Sequence, residues 1–348
     1  MLKTTVIGSY PKYPKLMSNE FDVRWLVSPG ENLDKGWKNK ENLKQIQDDA
    51  VRWAVKEQES TGIDIITDGE QRRGNFVFYH CQNIDGFDFT NKKEKALRGG
   101  TRIELVPTVN QKIQHKEHYL VKDFSFVKAL TNKEIKMTIA GPSTIVDSVA
   151  DLYYNDEKKL AIDIAKAIRE EIKALAKAGC KIIQFDEPVF IRDTANFFDF
   201  GLDALYECFK GVDDITIEVH ICRGYPNKEK DVKAEKGRYN DVIGVLSKLN
   251  IDRISIEDAH ENLDLDIFKK FDSKDVILGV VDIGNEQVET SEQIENRVKE
   301  VLQIINPEKL FIAPDCGLLL LKPEIAWEKL SNLATAAKKI REEFNNID

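Results

Sequence analysis

Short apolar runs alternate with longer amphipathic stretches along most of this chain. Eight runs have the length and composition of buried strands, and they lie at residues 4–7, 63–67, 136–140, 181–185, 215–221, 253–256, 276–281 and 310–313. The stretches between them repeat apolar residues at helical spacing, most clearly over 42–60, 155–179, 238–249, 291–304 and 323–345. In the second of these, Asn155 or Asp156 can cap the helix start and Gly179 can end it. Strands that alternate with helices predict a parallel sheet.

The count of eight strand–helix units predicts an α/β fold of the (β/α)8 TIM-barrel type. A doubly wound open sheet is the alternative, but no G-x-G-x-x-G motif follows the first strand. The chain shows no linker or repeat, so we expect one barrel domain over residues 1–348 with a long insertion after strand 2, at about 75–135. Within it, "TRIELVPTVN" and "EHYLVKDFSFV" predict an inserted β-hairpin.

Composition narrows the class of protein. The 348 residues carry a net charge of -9, which argues against a nucleic-acid or anionic-membrane partner because both need a basic surface. No run approaches the roughly 18 apolar residues of a membrane span, and the N-terminus lacks the apolar core of a signal peptide. The five cysteines are scattered and odd in number, so we expect free thiols and a cytoplasmic location.

Polar residues gather where the predicted strands end, which is where a barrel of this type carries its chemistry. In the fifth strand the apolar residues are those at 215, 217, 219 and 221. Outward residues of a barrel strand pack on helices, so this alternation points His220 and Cys222 into the barrel. The same alternation in the sixth strand directs Glu257 inward, and Cys316 follows the eighth strand.

One imidazole, two thiolates and one carboxylate form a tetrahedral zinc set, and the soft sulfur ligands favour zinc over harder ions. Structural zinc sites usually take their ligands from short C-x-x-C loops, whereas these four come from distant strands. We therefore predict a catalytic zinc site in which Glu257, the more exchangeable carboxylate, is displaced by substrate. Other cysteines and histidines are assigned simpler roles: Cys81, Cys180 and Cys208 as core packing, His115 and His118 as a solvated pair, and His260 as a surface residue.

The stretches around these residues resemble a known family. "TTVIGSYPK", "TDGEQRRGNF", "QFDEP", "HIC", "ISIE", "GVVDI" and "PDCGL" occur in the order of the C-terminal catalytic barrel of cobalamin-independent methionine synthases. The resemblance spans nearly the whole chain and implies a homocysteine S-methyltransferase that forms methionine. It also implies zinc bound by the same four residues, and a homocysteine pocket in which Ser9, Glu70 and Asp186 hold the ammonium and carboxylate groups.

Elementary chemistry agrees with this implication. A free thiol is mostly protonated at neutral pH, and coordination to zinc converts it to the nucleophilic thiolate. The carboxylates of Glu70 and Asp186 could receive the α-ammonium group and so direct the thiol to the metal. The alternative for each is a salt bridge inside the barrel with Arg72 or Arg73.

Three departures from the family pattern concern the methyl donor. The chain has no room for the second, N-terminal barrel of full-length members; Ser148 stands where the family has a tryptophan against the pterin; and Gly284 replaces the histidine thought to protonate the departing folate. The donor could thus be a methylated corrinoid on a partner protein rather than methyltetrahydrofolate.

Two further hypotheses stay open at this point. The zinc–thiolate chemistry could serve another thiol of the coenzyme M type, although acidic residues in the pocket would repel a sulfonate. Alternatively, the barrel could bind zinc or thiols without catalysis, in which case the acidic pocket would be unnecessary.

Overall fold

A computed structural model describes residues 1–17, 37, 41–97, 102–224 and 233–346. Eleven strands lie in these ranges: β1 Lys3–Thr4, β2 Ile65–Ile66, β3 Ile84–Leu97, β4 Arg102–His115, β5 Glu134–Ala140, β6 Ala150–Asp151, β7 Ile182–Asp186, β8 Thr216–His220, β9 Arg253–Glu257, β10 Asp275–Val281 and β11 Leu310–Pro314. The α-helices are α1 Leu43–Thr61, α2 Phe78–Gln82, α3 Leu120–Lys128, α4 Pro142–Ser148, α5 Glu157–Ala178, α6 Val189–Arg192, α7 Thr194–Asn196, α8 Leu202–Phe209, α9 Tyr239–Leu246, α10 Ser291–Val301 and α11 Pro323–Asn345.

Eight of the strands form one parallel sheet that curves into a barrel. Their order is β1-β11-β10-β9-β8-β7-β5-β2, and a parallel bridge between Thr5 and Ile65 joins the two ends. Each of these strands overlaps or adjoins one of the eight apolar runs of the sequence, so the predicted TIM barrel is confirmed. Their carboxyl ends meet at one mouth, because all eight run in the same direction.

Local sequence signals explain the helices that surround this sheet. Asp156 caps α5 by accepting a hydrogen bond from the Lys159 amide, and Gly179 follows its last residue, as predicted. Thr290 and Gln293 form a complete capping box at the start of α10. Cys81, Cys180 and Cys208 are buried in the hydrophobic core, which confirms their predicted packing role.

The insertion between β2 and β5 contains a β-hairpin as predicted, and "TRIELVPTVN" supplies the first nine residues of β4, but the second predicted strand is wrong. Strands β3 and β4 pair antiparallel, and β6 adds to β4 as a short parallel edge. The stretch "EHYLVKDFSFV", predicted as hairpin strand, instead forms most of α3. Leu120, Phe124 and Val127 are buried at a spacing of four and three residues, so the helical period of this stretch prevails over its β-branched and aromatic content.

Two groups of side chains fill the interior of the barrel beneath the mouth. One is an apolar cluster: Ile7, Ile65, Ile182, Ile277, Phe311 and Ala313. The other is a buried ion network in which Glu218 lies 2.9 Å from Lys136 Nζ and 2.7 Å from Arg253 Nη1. Lys136 and Glu218 are both fully buried, so each depends on the other for its charge.

Replacing Lys136 with methionine should lower the free energy of unfolding by about 3 kcal/mol, because it leaves Glu218 partly uncompensated inside the barrel. Urea unfolding followed by circular dichroism measures the change. Lys173→Met is the matched control, since Lys173 forms a surface ion pair with Glu170 at 2.8 Å and both side chains are nearly half exposed. Equal, small effects of the two substitutions would show that Glu218 does not rely on Lys136.

No helix among the described residues is both long enough and apolar enough to cross a membrane.

Candidate metal and amino-acid site

A cavity of about 1130 Å³, counting its open entrance, lies at the mouth of the barrel. Its wall includes six of the seven site residues that the sequence proposed: Ser9, Glu70, Asp186, His220, Cys222 and Cys316. They come from the ends of five strands or from the turns that follow them, as expected for this fold.

Three potential metal ligands converge on one side of this cavity. His220 ends β8, Cys222 follows two residues later, and Cys316 follows β11 by two residues. One ligand atom from each of these residues lies within 4.8 Å of the other two, and all three residues are buried. The alternation of residues along the strand predicted that His220 and Cys222 point into the barrel, and both lie at the cavity wall.

The imidazole of His220 is oriented by a residue that the sequence analysis overlooked. Its Nδ1 lies 2.9 Å from the hydroxyl of Ser255, while its Nε2 is buried and has no hydrogen-bond partner among the described residues. A metal-binding histidine usually engages its second ring nitrogen in this way, which leaves the other free for the metal. Ser255 has the same strand parity as Glu257, and this signal could have identified it.

A hydrogen bond links the two thiols and shifts their pKa values in opposite directions. A hydrogen bond from the Cys316 thiol, together with the adjacent His220, holds the pKa of Cys222 well below its usual value. The same hydrogen bond and burial raise the pKa of Cys316 well above its usual value. An imidazole nitrogen beside two cysteine sulfurs fits the donor preference of zinc.

Glu257 adjoins this group without being part of it. Its Oε2 is 3.0 Å from Lys233 Nζ and accepts a hydrogen bond of 3.3 Å from the Arg223 amide, whereas its Oε1 is buried without a partner among the described residues. Burial, followed by the negative charge of Cys222, raises the pKa of Glu257 to about 8. Lys233 was missed because it lies in a run of mixed charges, at 228–239, that predicts only a solvated loop.

The two acidic residues of the predicted amino-acid pocket differ in their partners. Glu70 Oε1 lies 3.2 Å from Arg73 Nη1 and accepts a hydrogen bond of 2.7 Å from Thr138 Oγ1. Asp186 accepts a hydrogen bond of 2.7 Å from Gln184 and has no lysine or arginine within ion-pair distance in the described part of the chain. Burial raises the pKa of Asp186 to about 7. Glu70 therefore forms the salt bridge that was the alternative to a role in substrate binding. Asp186 has no cationic partner among the described residues.

The turn that carries Glu70 is held in an unusual backbone conformation. Gly69 and Glu70 both have a positive φ, 64° and 55°, and the second value is rare for a residue with a side chain. A Cβ on Gly69 would lie 2.9 Å from that of Ala54. Both this close contact and the positive φ therefore require glycine at this position. The Lys12 ammonium supports the turn by donating to the backbone oxygens of Glu70 and Arg73 at 2.5 and 2.9 Å.

Ser9 lies between the acidic side of the cavity and the thiols. Its carbonyl accepts a hydrogen bond of 2.8 Å from the Leu318 amide, which ties the end of the first strand to the turn after β11. A Cβ on Gly317 would lie 2.2 Å from Ser9 Oγ, so the absence of a side chain there lets Ser9 approach the residue that follows Cys316.

Comparison with known proteins agrees with this geometry. A sequence model described as "Cobalamin-independent synthase, Catalytic domain" matches residues 2–339. The chain belongs to the cobalamin-independent methionine synthase family. A methionine synthase of Sulfurisphaera tokodaii is 35% identical over 348 residues, which cover 99% of this chain and 94% of that protein. One from Saccharolobus solfataricus is 35% identical over 347 residues, with 99% and 96% covered.

A solved member of the family has the same fold. The B12-independent methionine synthase from Shewanella sp. W3-18-1, in complex with selenomethionine, superimposes with a TM-score of 0.88 at 31% identity and covers 99% of each chain. Membership makes this chain a methyltransferase and implies methylation of homocysteine to methionine. This chain spans nearly the full length of these three relatives.

Of the two residues that the sequence analysis related to the methyl donor, Ser148 lines the cavity and Gly284 does not. Ser148 ends α4 and lines the cavity, but its hydroxyl donates to the Thr144 carbonyl at 2.8 Å and so faces its own helix. Gly284 is exposed, and its amide donates to Asp282 Oδ1 at 2.7 Å. The ring of His260, whose side chain is 43% exposed, lies 3.8 Å from the same carboxylate and belongs to the surface, as predicted.

Proposed function

We propose that this enzyme is a zinc-dependent homocysteine S-methyltransferase in which His220, Cys222 and Cys316 bind the metal and the adjoining Glu257 turns from Lys233 to supply the fourth ligand. The meeting of one imidazole and two thiol groups within 4.8 Å, at the wall of the barrel-mouth cavity, is the observation that supports the zinc site most directly. When bound, zinc would convert the thiol of homocysteine to a nucleophilic thiolate at neutral pH.

Residues of the chain would position homocysteine for this chemistry. Asp186 has no cationic partner among the described residues and would receive the α-ammonium group, whereas Glu70 is neutralised by Arg73 and would shape the pocket beside it. Ser9 would supply a hydroxyl for the carboxylate of the amino acid. An ammonium held by Asp186 lies on the side of the cavity that adjoins His220, so the thiol is directed towards the metal ligands.

Glu257 is the ligand that we expect to yield to homocysteine. Lys233 and the Arg223 amide offer its carboxylate alternative partners at 3.0 and 3.3 Å, whereas the two thiols have no comparable cation among the described residues. An exchange of Glu257 for the substrate sulfur would leave the carboxylate compensated by Lys233, which lowers the cost of its release.

The methyl donor is a separate question. The family is described as cobalamin-independent, so the hypothesis of a corrinoid protein as partner gains no support from the comparisons. Assays of methionine formation with methyltetrahydrofolate and with methylcobalamin, each supplied alone, discriminate the two donors. Homocysteine and 2-mercaptoethanesulfonate as competing acceptors discriminate the thiols, and Asp186 argues against the sulfonate by charge repulsion.

The free and buried state of all five cysteines accords with the cytoplasmic location that we propose.

Zinc X-ray absorption tests the proposed site directly. We expect two sulfur neighbours of zinc in the purified enzyme, and three after addition of homocysteine, because the substrate thiolate enters the coordination sphere. Homoserine is the matched ligand, since it has a hydroxyl in place of the thiol and should leave the count at two. A sphere without two sulfurs, or one that ignores homocysteine, would contradict the proposal.

A further inference from the structure

A second group of metal-ligand residues lies outside the barrel-mouth cavity. His115 ends β4, His118 follows in the loop before α3, and Glu171 lies on α5. One ligand atom from each lies within 4.8 Å of the other two. None of the three lines the cavity described above, so this group is distinct from the catalytic site.

The prediction of a solvated pair holds for His118, whose side chain is 49% exposed, but not for His115. Their rings face each other with centroids 4.6 Å apart, and the side chain of His115 is only 21% exposed. His115 Nε2 is buried and has no hydrogen-bond partner among the described residues. The prediction is wrong for His115 because α5, some fifty residues further along the chain, packs beneath the loop and places the buried Glu171 carboxylate against both rings.

Glu171 has an unusual electrostatic environment. Its Oε1 accepts a hydrogen bond of 2.6 Å from the Leu120 amide at the start of α3. Its Oε2 faces His118 Nδ1 at 3.1 Å and His115 Nε2 at 3.6 Å. Within the described ranges, these two imidazoles are its only ion-pair partners, and the carboxylate is 1% exposed. A buried carboxylate with no lysine or arginine needs either a proton or a cation between it and the imidazoles.

The distances accommodate a cation as well as the hydrogen bond between His118 Nδ1 and Glu171 Oε2. Zinc ligands at about 2.0–2.1 Å in tetrahedral geometry are separated from one another by roughly 3.3 Å. The separations of 3.1 and 3.6 Å around Glu171 Oε2 bracket this value. Two imidazoles and one carboxylate are a donor set that zinc and neighbouring divalent transition metals accept, with the remaining positions open to water.

We propose that His115, His118 and Glu171 form a second metal site that binds zinc or a similar divalent transition-metal ion. The metal would fasten the end of β4 and the start of α3, which belong to the insertion, to α5 of the barrel. Its role would therefore be to hold the insertion against the barrel rather than to take part in methyl transfer.

Cobalt titration of the enzyme already loaded with one equivalent of zinc tests the proposal. Cobalt binds such sites more weakly than zinc, so it should leave the thiolate site occupied by zinc. We expect one further equivalent of Co²⁺ to bind, with visible d–d absorption and without the near-ultraviolet thiolate-to-cobalt band that a cysteine site would produce. The melting temperature should rise with this equivalent, because the ion binds the folded state alone.

Variants identify the ligands of the added cobalt. His115→Ala/His118→Ala should lose the second equivalent, and His118→Gln alone, at a half-exposed position, gives the same test with less risk to folding. Glu117→Gln is the matched control, since Glu117 lies in the same loop and faces Lys122 rather than the two histidines. Absence of a second equivalent in the natural sequence, or its retention in the histidine variants, would overturn the proposal and leave a protonated histidine–glutamate cluster.

Discussion

Replacing Cys316 with serine should release zinc from the enzyme and reduce kcat/KM for homocysteine methylation by about 10³-fold or more. Cys316 contributes one of the two sulfurs that meet His220 within 4.8 Å, and a serine hydroxyl remains protonated where the thiolate would bind metal. The loss of thiol activation by the metal accounts for several kcal/mol of the barrier, which corresponds to this decrease in rate. Metal content by mass spectrometry and initial rates measure the two effects.

Cys208→Ser is the matched control for that experiment. Cys208 is also buried, but it lies on α8, where its thiol donates to the Ala204 carbonyl at 3.4 Å, a bond that a serine hydroxyl preserves. The control should retain zinc and most of its activity. Full zinc occupancy in Cys316→Ser, together with normal turnover, would exclude Cys316 as a ligand.

Replacing Asp186 with asparagine should reduce kcat/KM for homocysteine by about 10²-fold, equivalent to about 3 kcal/mol, while the zinc content stays unchanged. The substitution removes the carboxylate that has no cation of its own among the described residues and so deprives the substrate ammonium of its counter-charge. Calorimetric binding of methionine, which carries the same ammonium but no thiol, measures the effect independently of the metal.

Glu70→Gln provides the comparison for Asp186. Glu70 already pairs with Arg73 at 3.2 Å, so its substitution should weaken methionine binding less than that of Asp186. The opposite order of effects would place the ammonium at Glu70. Unchanged methionine binding in both variants would show that neither carboxylate receives the ammonium, whereas absence of methionine binding to the unsubstituted enzyme would support a barrel that does not recognise amino acids.

The sequence predicts the orientation of a side chain best where that orientation follows from the alternation of residues within its own strand. The alternation in "ITIEVHI" and "RISI" requires one face to pack on helices, and this requirement alone directs His220, Cys222 and Glu257 inward. The eight strands were found for the same reason, since buried parallel strands are short and rich in apolar residues.

Contacts between distant segments could not be predicted in this way. Nothing near His115 indicates that Glu171 packs against it, and nothing in the charged run at 228–239 separates Lys233 from its solvated neighbours. The stretch at 117–127 contains both strand-forming residues and a helical spacing, and only the packing of Leu120, Phe124 and Val127 against the core decides between them.

The filled interior of the barrel has a kinetic consequence. The apolar cluster and the network of Lys136, Glu218 and Arg253 occupy the space below Asp186 and His220, so homocysteine would rest at a blind end of the cavity. A methyl donor that approaches the thiolate from the mouth would cover the amino acid and block its exchange. The enzyme would then follow an ordered mechanism, in which homocysteine enters before the donor and methionine departs after the demethylated donor has left.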